Sequence, residues 1–202
     1  MPTRSSAPLV VLLSAVMFAA TRAIDAQSIV NFDDRSAAAV QAAMRSGSYA
    51  GLTWGNNEGW AAFTNGTRLG NPCHSNPQCA SPNGVDPAGR GIGTFSFTSG
   101  PQVFFGAWLA GLPTALNSPS QAFFELLVSG VVVHTSATLQ FTNDTPTWLA
   151  SGYSGAVDHV RLVNTGVFID DITFGTVPEP TGLFLTAAGM LILCGAARRR
   201  SD

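Results

Sequence analysis

From residue 28 onward the chain alternates short apolar bursts with Gly, Asn, Asp, Pro and Ser. Residues 28–32, 49–54 and 59–64 each read as a short strand. Residues 36–45 are Ala-rich and read as a short helix or an irregular excursion. Residues 93–98 then alternate with period two, the mark of a half-buried strand. Further bursts at 102–109, 122–129, 130–135, 138–142, 148–149, 157–164 and 167–174 follow at a spacing of roughly ten residues. Short strands at such spacing, without amphipathic helices between them, predict an all-β, antiparallel sandwich of the jelly-roll kind over residues 27–176. Residues 65–91 break the pattern. They are rich in Asn, Pro, Gly and Ser and read as one long loop.

The two ends carry a different pattern. Residues 1–26 combine Arg4, an apolar stretch from Leu9 to Ala20, and small residues at Ala23 and Ala26. That order predicts a secretory signal peptide cleaved after Ala26, since the apolar stretch is shorter than the roughly 20 residues a bilayer requires. Residues 181–197 hold no charge and are followed by Arg198, Arg199 and Arg200. A helix of that length rises about 26 Å, enough to cross a slightly thinned bilayer as a single transmembrane span. The Arg cluster acts as a stop-transfer signal and stays cytoplasmic, which puts the domain outside. Before the span, Pro178 and Pro180 cannot sit in a helix interior, so they keep the chain extended and accessible.

Charge narrows the function classes. The chain has no Lys, and between residues 27 and 180 five Arg face ten acids. A domain this acidic lacks the basic stripe that nucleic-acid binding needs, so no nucleic-acid partner is expected.

The sequence Val177, Pro178, Glu179, Pro180, then an apolar span, then Arg198 to Arg200 resembles the PEP-CTERM sorting signal of Gram-negative bacteria. The resemblance covers residues 177–200. It implies processing near the Pro-Glu-Pro motif by an exosortase, a membrane-embedded cysteine transpeptidase or protease. It also implies delivery to the cell surface or extracellular matrix, and an association with exopolysaccharide and biofilm formation.

Within the domain, Cys73 and Cys79 are the candidates for a disulfide, since an exported chain meets oxidising conditions. A metal held by Cys73, His74 and Cys79 is the alternative, but a structural zinc needs a fourth ligand and usually a second paired half. Trp54, Trp60, Trp108 and Trp148 are candidates for stacking on sugar rings, which an exposed aromatic platform does well. Catalysis has little to stand on. Glu58 and Glu125 are the Glu residues available for glycoside hydrolysis, and neither sits in a motif. His134 and His159 lie near many serines, but no Gly-x-Ser-x-Gly elbow accompanies them.

The domain also resembles the galactose-binding or carbohydrate-binding-module jelly rolls found on many PEP-CTERM proteins. The residues that carry this are Asn31 to Asp34, Tyr49 to Trp54, and Phe168 to Ile172. The ends of such modules often lie side by side. Asp33, Asp34, Asp170 and Asp171 could then hold a structural Ca²⁺, which takes six to eight oxygens. The expectation is therefore a non-catalytic structural or adhesive envelope protein requiring no cofactor. A calcium-stabilised carbohydrate-binding module, with polysaccharide as partner, is the alternative, and a secreted hydrolase the third reading.

Overall fold

The structure is a computed structural model, and it describes residues 27–55, 59–65, 72–112 and 120–176. The expected signal peptide, the Val177 to Pro180 motif, the 181–197 span and the Arg198 to Arg200 cluster lie outside the described residues. Among the described residues, no helix is long and apolar enough to cross a membrane.

In chain order the elements are β1 (Gln27–Val30), α1 (Ala37–Arg45), β2 (Ser48–Tyr49), β3 (Leu52–Trp54), β4 (Trp60–Thr64), β5 (Gln78–Pro82), β6 (Gly84–Val85) and β7 (Gly91–Phe97). They continue with β8 (Gln102–Gly111), β9 (Ser120–Val128), β10 (Val131–Thr135), β11 (Leu139–Phe141), β12 (Thr147–Ala150), β13 (Ala156–Val157), β14 (His159–Asn164) and β15 (Val167–Gly175). All strand pairs are antiparallel. One sheet runs β12-β8-β15-β5-β4, with β1 joined to β15 and β13 to β8. The other runs β10-β9-β14-β7-β3-β2, with β11 joined to β9 and β6 to β7. The all-β sandwich expected from the pattern is what the chain forms.

Period-two burial explains the layers. In β9, Ala122, Phe124 and Leu126 are buried while the residues between them are partly open. The inward residues of both sheets form one core, in which Trp54, Trp60, Phe95, Phe104 and Phe124 meet mostly edge-on or tilted. Such angles suit the ring quadrupoles.

Two sequence expectations change. Residues 49–54 form a hairpin rather than one strand, because Ala50 and Gly51 both take positive φ (52° and 81°). Positive φ at both central residues is the turn whose twist matches paired strands. The long loop at 65–91 contains β5 and β6, and β5 lies inside the first sheet between β15 and β4. Its burial is continuous rather than alternating, which hid it from a period-two reading. Helix α1 starts at the N-cap Ser36, whose Oγ accepts from the Ala39 N–H at 3.4 Å, and it buries Val40 and Met44 one turn apart.

Candidate functional site

The outer face of the β8–β15–β5 sheet carries a second, smaller apolar cluster. Ile169 points into the main core, so its neighbour Phe168 points out, where it packs with Phe63, Leu112, Cys73 and Cys79. The two cysteines are joined, with sulfurs 2.08 Å apart and Cα atoms 5.2 Å apart. As a disulfide they are unavailable as metal ligands. Residues 73–79 thus form a closed loop fixed over the outer face of the sheet.

Both Asp pairs hold this loop. Asp33 Oδ1 accepts from the Gln78 N–H at 2.9 Å. Asp170 Oδ2 accepts from the Ser75 N–H at 2.8 Å and from its hydroxyl at 3.0 Å. Asp171 Oδ2 lies 2.5 Å from His74 Nδ1. Asp34 turns the other way and accepts from the Tyr49 hydroxyl at 2.5 Å. The β1–β15 pairing, with Val30 opposite Ile172, brings the first and last strands together. What lies between their carboxylates is the chain's own N–H and O–H groups. Among the described residues, no group of three or more His, Cys, Asp and Glu converges on a point that could hold a metal. Asp33, Asp34, Asp170 and Asp171, the carboxylates suggested for calcium in sequence, each bond a different donor in this arrangement.

Consecutive Asp170 and Asp171 can both reach the loop because β15 bulges there. Ile169 and Ile172 both face the core, three residues apart, so one residue is extra to strict alternation. The register of β15 on β8 shifts between Asp170 and Thr173, and Asp171 takes φ 45°. Asp tolerates this left-handed conformation better than most residues. Bulges re-aim side chains in this way.

Asp170 is 2% exposed. Burial pushes its carboxyl up to about 7, the neighbouring Asp171 charge adds to that, and the Ser75 and Asp171 N–H groups act against it.

Next to the loop lies a row of rings. Trp108 on β8 stands directly opposite Trp148 on β12 and opposite Asp170 on β15. The indoles of Trp108 and Trp148 meet at 62° with centroids 6.0 Å apart. His74 lies flat over Trp108. Gly106 makes room for this edge: a Cβ there would collide with the Leu149 carbonyl and crowd the Trp148 ring.

The four Trp residues therefore separate. Trp54 and Trp60 are 1% and 3% exposed and belong to the core, so as sugar-stacking candidates they are corrected: neither offers a face to a ligand. Trp108 is half-buried with one face against His74. Trp148 is 37% exposed on the edge strand β12 and is the one open indole among the described residues.

The remaining candidate groups are engaged elsewhere. Glu125 is held by the Arg161 guanidinium, with Nε at 2.6 Å. Glu58 lies outside the described residues. His134 stacks on Tyr153, and His159 pairs with Asp158 at 2.8 Å. That hydrogen bond first, and the Ser129 N–H second, hold the Asp158 carboxyl below its ordinary range. Ser75 bonds Asp170 while the adjacent His74 bonds Asp171, so the two do not form a serine–histidine relay.

Sequence reading found the cysteines and the Asp pairs separately but not their union. The hydrogen bonds that join them span 95 and 97 residues, and no local spacing encodes such a contact. The chain matches no protein-family model, and neither the curated proteins nor the solved structures contain one significantly similar to it.

Proposed function

We propose that this chain is an exported envelope or matrix protein whose β-sandwich has a structural or adhesive role and no catalytic one. In this reading an exosortase processes the chain at Val177 to Pro180, the 181–197 span holds it in the membrane until then, and Arg198 to Arg200 stop its transfer. The observation that supports a non-catalytic role is the state of the carboxylates. Asp33, Asp34, Asp170, Asp171 and Glu125 are each bonded to a group of the same chain. The closed 73–79 loop suits an oxidising, extracellular setting. A jelly-roll-like arrangement agrees with the crossings between sheets from β7 to β8 to β9 and from β14 to β15.

Terminal peptide mass spectrometry on protein from the host envelope and medium tests the sorting. The expected chain begins near Gln27 and ends at or near Pro178 to Pro180. A membrane-held chain intact through Arg200 would make the tail a permanent anchor and end the exosortase reading.

A second reading, polysaccharide binding, is favoured by one feature. Trp148 is an open indole on a sheet edge with His74, itself exposed, beside its partner ring. An open indole combines a large apolar face with a polar N–H, which suits a ligand that is apolar on one face and hydroxylated at its rim. Hydrolysis has no comparable support.

A further inference from the structure

Four of the seven exposed large apolar residues of the described domain lie together. Val128, Val131, Val132 and Val133 share one hairpin, and Val131 is 65% exposed. The hairpin joins β9 to β10 through Ser129 and Gly130, both at positive φ (51° and 79°). Its second arm, β10, is an edge strand that pairs with β9 on one side only. Beyond it Ser136 keeps the chain on β9, exchanging bonds with Phe124 at 2.9 Å in both directions, and β11 extends the same edge.

An open edge presents unpaired backbone donors and acceptors, and proteins usually guard such edges with charge, proline, brevity or a covering element. The β2 and β4 edges follow that rule. β2 has two residues, and helix α1 packs on β2 and β4. The β10–β11 edge has neither charge nor proline, although His134 of β10 stacks on Tyr153. Residues 131–141 contain no Asp, Glu, Lys, Arg or Pro. The bulge between Val132 and His134 only adds a third valine to the exposed set. The carboxylates beside the hairpin already have partners: Glu125 pairs with Arg161, and Asp158 is hydrogen-bonded to His159 and to the Ser129 N–H.

We propose that this edge binds a second copy of the same chain, β10 against β10, antiparallel about a two-fold axis. An antiparallel pair of identical strands is self-complementary, so one patch serves as both partners. Valine meets valine, the edge hydrogen bonds are completed, and no like charges oppose, although the domain as a whole is acidic. The two eight-stranded sheets would become one continuous sheet. This inference gives the adhesive reading a partner but does not depend on how the tail is processed.

The test is sedimentation of the full chain in detergent over a range of concentrations, with three proteins. The wild type is expected to dimerise. Val132→Lys places two ammonium groups near the axis and is expected to weaken the dimer by about 100-fold, because juxtaposed like charges are strongly unfavourable in an interface. Val85→Lys, at an exposed apolar position on β6, is expected to leave the dimer unchanged. Thermal melting of each variant checks that it is folded, as surface positions should allow. A monomeric wild type at every concentration overturns the proposal. So does a dimer that Val132→Lys leaves intact, which would locate association elsewhere, the tail included. Capture of a different extended chain by a monomeric wild type would likewise replace it.

Discussion

The imidazole of His74 lies on the indole of Trp108 with ring centroids 3.7 Å apart and planes 8° from parallel. The same imidazole bonds Asp171 through Nδ1. One side chain therefore ties the disulfide loop both to the β15 bulge and to the flat of the β8 strand. The loop is fixed at three kinds of contact: a covalent bond, carboxylate hydrogen bonds and a ring stack.

Removing the covalent tie should loosen this arrangement without destroying the sandwich. Cys73→Ser with Cys79→Ser is expected to lower stability by about 2 kcal/mol, the chain-entropy value for so short a loop. Urea melts of the double variant and of the reduced wild type should agree. A loss well above that would mean the disulfide holds the small cluster of Phe63, Phe168 and Leu112 together and does more than restrict the unfolded loop.

Asp170 should make stability depend on pH. Its folded carboxyl is raised to about 7, above the ordinary value of 3.8. Below about pH 4 both folded and unfolded states hold the proton, and this group's contribution is fully present. Between pH 4 and 7 the unfolded chain gives up the proton and the folded chain keeps it, so stability falls as pH rises. Above pH 7 the loss is complete, at most about 4 kcal/mol for a shift of this size. Asp170→Asn, neutral throughout, should lack that fall. The comparison of melts from pH 4 to 8 isolates the Asp170 share from those of Asp171 and the histidines. Parallel curves would show that the carboxyl titrates in its ordinary range.

Much of this architecture could be read from the residues. The alternation in 93–98 marked β7, and the apolar burst at 167–174 marked β15; Asp170 and Asp171 lie on β15, while Asp33 and Asp34 lie in the turn just after β1, the strand beside it. What escaped was β5, where Gln78, Cys79, Ala80, Ser81 and Pro82 are all buried and none is strongly apolar except by context. Its burial comes from sheet position and from the loop above it, and both are tertiary facts. Trp54 and Trp148 look alike in sequence for the same reason. One faces the core from β3 and the other lies on the edge strand β12.

That difference separates two kinds of Trp variant. Trp54→Ala removes a fully buried indole packed against Phe32, Trp60 and Phe95, and should cost roughly 3–5 kcal/mol. Trp148→Ala loses mainly its edge contact with Trp108, worth about 1 kcal/mol. If the domain holds polysaccharide, retention on an exopolysaccharide affinity gel should fall with Trp148→Ala while the melt barely moves. Equal retention of the variant and the wild type would remove Trp148 from any sugar site.

Calcium has a simple test. The oxygens that would bind it already accept the Gln78, Ser75 and Tyr49 donors. Melting in chelator should match melting in millimolar Ca²⁺ to within about 1 °C. A clear rise with the ion, scaling with its concentration as linkage requires, would mean that those donors give way and the Asp pairs rearrange around the metal.

The pairing of β1 with β15 has a mechanical consequence. Gln27 stands opposite Gly175, so the described domain's two ends emerge side by side. A load applied between those ends would act on the outermost rung of the pair first and peel β1 away one rung at a time, a low-force mode. A load entering at the β14–β15 turn at residues 165–166 and leaving through Gln27 takes another route, drawing β15 and β1 lengthwise past each other so that their hydrogen bonds resist together. Connected at opposite places, the same sandwich would yield like a zipper in one direction and hold like a lap joint in the other.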